Sequence, residues 1–172
     1  MKTARPYPDA YLRYLEEFHK TRDFFECHEI LEEHWKTDPD GLRSGLWVGL
    51  IQLAVGLYHQ RRGNARGALK MLRGARGKLA GSDPAAVGID GDALLAALDE
   101  RIRELEEHPA APYRDLDIPL LDAALAPLTQ PAVDSRTLGA AVTERHRLRD
   151  RSDVVAARRA ALEAKNRADR RK

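Results

Sequence analysis

The stretch Phe24-Phe25-Glu26-Cys27-His28-Glu29-Ile30-Leu31-Glu32-Glu33-His34-Trp35 sets an imidazole and carboxylates among apolar neighbours. On a helix, His28 and Glu32 stand four residues apart, so their side chains meet. A second polar pair, Gln52 and His59, lies in the apolar run that follows, and Arg62-Gly63-Asn64 closes that run. These residue types allow acid–base chemistry, with His28 or His59 as base and Glu32 orienting it. His28, Glu32 and His59 are also ligand types for zinc or iron. His-Glu-x-x-Glu is nonetheless not the His-Glu-x-x-His of metalloproteases, since the second histidine is absent and no distant third ligand is identifiable. The expectation is therefore no metal and no cofactor, with zinc or iron as the alternative.

The helices must bring these groups together. At roughly 100° per residue, Phe24, Cys27, Leu31 and Trp35 define the inward stripe of the second helix. His28 falls inside it, Glu32 between His28 and Phe25, and Glu29 on its border. In the third helix Gly45, Gly49 and Gly56 share one face. A glycine inside a helix costs about 1 kcal/mol against alanine, so three on one face argue for close approach of another backbone. Gln52 and His59 flank that face. Either the fourth or the second helix fits the groove; if the second, His28 and Glu32 meet Gln52 and His59. A buried unpartnered polar group costs on the order of 1–3 kcal/mol. Four of them would consume much of a small domain's stability of roughly 5–15 kcal/mol. They must satisfy one another, reach water or hold a ligand.

The fold class expected is all-α: a compact antiparallel bundle of about five helices with the third at the centre, and a C-terminal extension. Helix formers dominate the 172 residues, and no segment alternates with a period of two. Helices are expected over about Asp9 to Lys20 (Tyr11, Leu12, Leu15 and Phe18 inward), Asp23 to Lys36, Arg43 to Arg62, Ala65 to Ala80 and Gly91 to His108. The last carries Leu94, Leu98, Ile102 and Leu105 on one stripe. Short turns make the second, third and fourth helices antiparallel neighbours. The bundle domain spans residues 1–108. Residues 109–133 form an apolar, proline-interrupted arm, packed on the bundle or on a partner subunit as a homodimer. Residues 134–172 form a basic tail, helix-prone or partly disordered.

One cysteine, Cys27, excludes an internal disulfide and fits a reducing compartment. The start of the chain has no apolar run after its charges, and the longest apolar region, Leu46 to Tyr58, is too short to span a bilayer. A cytoplasmic protein without a membrane partner is expected. The net charge of +2 conceals an asymmetry: residues 1–133 hold 17 bases and 21 acids, whereas residues 134–172 hold 12 and 6. Between 61 and 81 lie Arg61, Arg62, Arg66, Lys70, Arg73, Arg76 and Lys78 with no acid. Pairing with acidic neighbours on an ordinary solvated face explains them, and nucleic-acid contact through this helix and the tail is the third functional class. Asn64 and the free amides after it could hold an anion beside Arg66, or act as a plain cap.

Two segments, Phe25 to Trp35 and Gly49-Leu50-Ile51-Gln52 through Tyr58-His59 to Gly63-Asn64-Ala65-Arg66-Gly67-Ala68, carry a resemblance. They resemble the small prokaryotic helical family known as domain of unknown function three-hundred-nine. Its pattern is a His-Glu-x-x-Glu-x-x-Trp helix, then an apolar helix ending in Tyr-His and Gly-Asn-x-x-Gly. The likeness covers about residues 10–80 and implies a compact all-α bundle with no assigned activity. His28, Glu29, Glu32, Trp35, Gln52, His59, Asn64 and Gly67 match the pattern. The expected function is a non-catalytic ligand-binding or interaction module with a largely structural polar cluster. Its candidate ligand contacts are Glu29, Trp35, Gln52, Tyr58, Asn64 and Arg66. The alternative is a small hydrolase-like enzyme using acid–base or metal chemistry at His28, Glu32 and His59.

Overall fold

Side-chain caps set where three of the helices begin. Asp23 Oδ1 accepts from Glu26 N at 3.0 Å and Asn64 Oδ1 from Gly67 N at 2.9 Å. Asp90 Oδ1 accepts from Ala93 N at 3.0 Å. Each bond satisfies an amide that the first helical turn leaves free. In the computed structural model, which describes residues 6–130 with 156, 159 and 160, these caps open α2 (Phe24–Lys36), α4 (Ala65–Ala80) and α5 (Gly91–Glu107). Between α2 and α4 runs α3 (Ser44–Arg61), and α1 (Asp9–Glu16) precedes them. Gly63, at φ 75°, turns the chain from α3 into α4, a conformation that glycine adopts without a Cβ penalty. The tail expected at 134–172 lies, but for residues 156, 159 and 160, outside the described residues.

The first helix differs from its expected course. After Glu16 the turn widens into a π-helical segment, Glu17–Thr21, which ends at Arg22 with φ 55°. Side chains intrude on the backbone ladder here. His19 Nδ1 bonds Leu15 O at 2.8 Å, and Thr21 Oγ1 donates to Glu17 O at 3.0 Å. Tyr14, not Leu12, is fully buried on this helix.

The α3 helix is the central element, with Leu46, Leu50, Leu53, Ala54 and Leu57 buried. Its glycine face receives α4, not α2. A Cβ on Gly56 would stand 2.8 Å from Leu72 Cγ, and one on Gly49 would stand 2.9 Å from Leu79 Cγ. The opposite side carries α2, and α1 crosses close enough for Tyr14 to donate its hydroxyl to Leu50 O at 2.7 Å. Behind α4 lies α5, whose buried stripe is Leu94, Leu98, Arg101 and Leu105. Arg101 thus takes the inward position expected of Ile102, which is half-buried.

The arm returns across the bundle. Leu116, Ile118 and Leu125 are buried against the chain's own core, and Leu120 makes an isolated antiparallel bridge with Ile89. Leu121 is 61% exposed. Two short 3₁₀ turns, Pro84–Val87 and Ala123–Leu128, complete the described architecture, which is all-α with no β-strand among the described residues.

Candidate functional site

Because α4 fills the glycine groove of α3, α2 meets a different face. Phe24, Phe25 and His28 of α2 and Val55, Tyr58 and His59 of α3 line an open cavity of about 140 Å³. The inward stripe of α2 puts Phe24, Cys27 and Leu31 in the core, and His28, one position round, reaches the rim. There its side chain is 26% exposed.

The imidazole of His28 lies between two carboxylates. Nε2 is 3.0 Å from Glu32 Oε2 and Nδ1 is 3.3 Å from Glu29 Oε1. A neutral ring donates to one of them and a protonated ring to both. Lys36 Nζ stands 3.0 Å from the other oxygen of Glu32 and offsets its charge. One ligand atom from each of His28, Glu29 and Glu32 falls within 4.8 Å of the others, so these three residues could hold a metal ion.

His59 faces the same cavity from α3. Gly67 N–H fixes the Asn64 oxygen as acceptor, so Asn64 Nδ2 must donate to His59 Nδ1, 3.2 Å away. The neutral ring then carries its proton on Nε2. Burial and, secondarily, the nearby Arg62 lower the His59 pKa from its ordinary value and favour this neutral form.

The remaining candidate residues divide by location. Tyr58 lines the cavity, its ring 6.1 Å from Phe25 and 6.2 Å from His59. Gln52 turns instead toward α4, where a Cβ on Gly74 would meet its Oε1 at 2.8 Å, and that oxygen is buried without a hydrogen-bond partner. It does not join His28 and His59 around the cavity. Trp35 donates Nε1 to Ser44 Oγ at 2.8 Å, fastening the end of α2 to the start of α3. Asn64 caps α4, and Arg66 beside it is exposed.

On the basic face of α4, Arg73 and Arg76 reach Glu106 and Asp99 of α5, at 2.5 Å and 3.0 Å. A larger hollow of about 410 Å³ lies beside the α2–α3 turn, between Pro8, His34, Leu42 and Trp47. It contains none of the candidate residues. The smaller cavity brings together His28, Tyr58 and His59 of the candidate residues.

Sequence reasoning missed Phe24, Phe25 and Val55 as cavity walls. It also missed a second polar centre. Arg22, 2% exposed, donates Nη2 to Asp117 Oδ1 at 2.7 Å and Nη1 to Leu116 O at 3.3 Å. Arg101, 5% exposed, donates to Gln60 Oε1 at 2.8 Å. Arg61 lies over the Phe24 ring at 4.6 Å. A signal existed: Arg101 stands on the spacing of Leu94, Leu98 and Leu105, and Arg61 one turn beyond Leu57.

The structure therefore defines an all-α bundle with a histidine–glutamate helix packed on an apolar central helix. The model of the family described as Domain of unknown function (DUF309) matches residues 11–71. The "Uncharacterized protein YpuF" of Bacillus subtilis (strain 168) is 39% identical over 171 residues, covering 91% of this chain and 95% of that protein. The chain belongs to the DUF309 family, whose description assigns no activity. No solved structure matches it. No helix among the described residues is long and apolar enough to cross a membrane.

Proposed function

We propose that this chain is a non-catalytic module that binds a small ligand between α2 and α3. One observation carries this reading: His28 and His59, from separate helices, line one small cavity whose other walls are Phe24, Phe25, Val55 and Tyr58. Apolar walls with a few convergent polar groups are the usual composition of a ligand site. The volume of about 140 Å³ suits one ring, since a cavity on the order of 150 Å³ holds benzene. A ring bearing a hydroxyl would pack on the aromatic walls and exchange hydrogen bonds with the two imidazoles.

Phenol is the probe. Titrated into the protein, it should shift the histidine ring NMR signals of His28 and His59 together. Val55→Phe fills the cavity and should abolish both shifts while leaving the helical circular dichroism intact. Absence of any shift in the natural protein, or an equal response in Val55→Phe, overturns the reading.

A second reading, metal-assisted chemistry, draws on the convergence of His28, Glu29 and Glu32. Calorimetric titration with zinc tests it: stoichiometric binding that vanishes in Glu32→Gln supports it, and no saturable heat removes it. The buried free thiol of Cys27 supports a reducing, cytoplasmic setting, which cell fractionation tests.

A further inference from the structure

We propose that Arg22, Arg61 and Arg101 form a binding site for a phosphate group, occupied in cis by the arm segment 113–118. Three elements supply these cations: the end of the π-turn, the last turn of α3 and the buried stripe of α5. All three are directed at one short stretch of chain. Arg22 contacts Leu116 O, Asp117 Oδ1 at 2.7 Å and Asp115 Oδ2 at 3.7 Å. Arg101 Nη2 lies 3.5 Å from Asp115 O. The Arg61 guanidinium stands 5.9 Å from the Tyr113 ring centroid and donates Nη1 to Arg22 O at 2.7 Å. Two carboxylates of the arm thus approach the buried Arg22 guanidinium much as an oxyanion would.

The arm is an imperfect occupant. Arg61 Nε and Nη2 are buried without a hydrogen-bond partner among the described residues, and Arg22 Nε has only the 3.7 Å ion pair with Asp115 Oδ2. All three can donate, and each costs the closed form its desolvation. The arm's carboxylates both pair with Arg22 and leave the two Arg61 donors without a hydrogen bond. A phosphate offers three terminal oxygens around one centre and matches guanidinium forks bidentately. Arg22 also holds the left-handed backbone at φ 55°, a strain that clusters at binding sites and switch regions. The connector Pro109-Ala110-Ala111-Pro112 joins the arm to α5 and gives it a place to swing. The site is separate from the α2–α3 cavity, although both use the Phe24 ring.

Calorimetric titration with inorganic phosphate and with phenyl phosphate, at fixed ionic strength, tests the proposal on the full chain. Asp117→Asn weakens the internal competitor at a side chain that is 64% exposed, so the fold should tolerate it. Saturable binding is expected in the natural protein, and about tenfold tighter binding in Asp117→Asn as the open form gains population. Arg61→Lys keeps the charge but not the fork and should bind about tenfold more weakly. The tighter of the two probes identifies the source as free phosphate or a phosphomonoester. No saturable heat with either probe in both the natural protein and Asp117→Asn overturns the proposal. So does unchanged affinity in Asp117→Asn, or full affinity in Arg61→Lys.

Discussion

The cleft between α2 and α3 and the junction beneath the arm are both rich in polar side chains, but they treat water differently. In the cleft, His28 and Glu32 are 26% and 32% exposed, so each can exchange its protein partner for solvent. Under the arm, Arg22 is 2% exposed, Arg101 5% and His19 fully buried, and their partners lie as many as 99 residues away. A half-solvated pair contributes little to stability and stays free to meet a ligand. A buried charge must be held by the fold, and its loss is costly. The first region can exchange its partners with solvent, and the second ties the arm to the bundle.

The largest effect is expected at Arg22. Its side chain joins the π-turn to Leu116, Asp115 and Asp117. Arg22→Ala should cost about 3 kcal/mol, near the low end for breaking a buried pair because Asp115 and Asp117 can still reach water. Urea unfolding measures it. A loss under about 1 kcal/mol would make the two regions alike, because surface pairs already reach that figure.

Acid should act next, and on the same region. Burial lowers the His19 pKa below its ordinary value of 6.5, outweighing the Leu15 carbonyl and Asp117, which raise it; Arg22 lowers it further. Its Nε2 accepts from Ile118 N–H at 3.0 Å, so protonation would set two donors face to face at the arm. The unfolded chain binds the proton more readily than the folded one. Stability should therefore be constant above about pH 7 and fall as pH drops through 6.5 toward the folded value, by at most about 1.4 kcal/mol per pH unit for this group. The His59 pKa is displaced in the same direction, but the ring is more exposed and should add less. Thermal melts across pH 4–8 should show the fall, and His19→Gln should flatten it. A His19→Gln profile that keeps the full slope would put the acid sensitivity elsewhere.

What could be read beforehand depended on how local its cause was. The α4 helix runs from Ala65 to Ala80 as expected because Asn64 caps it and Gly81 follows it. The glycines of α3 announced a close neighbour, and Leu72 and Leu79 fill that role. The arm contacts had no local signature. His19, Arg22, Ile118 and Asp117 meet across more than ninety residues. An arginine near a helix end looks solvent-facing until the stripe beside it is traced. Gln52 flanks the glycine face as expected, but that face belongs to α4, so it was drawn away from His28.

His28→Ala should have the smallest effect and separates the two regions most sharply. If His28 were a buried partner of Glu32, its removal would leave an unsatisfied charge and cost several kcal/mol. At 26% exposure, with Lys36 Nζ already 3.0 Å from Glu32, the carboxylate keeps a partner and reaches water. The expected loss is about 0.5 kcal/mol, that of an exposed helical pair. Phenol affinity should nevertheless fall, because one of the two rings lining the cavity is gone. Denaturant melts and phenol titration of the same variant decide between them. A stability loss above about 2 kcal/mol with phenol binding intact would make the histidine–glutamate helix a structural device, as Arg22 is under the arm.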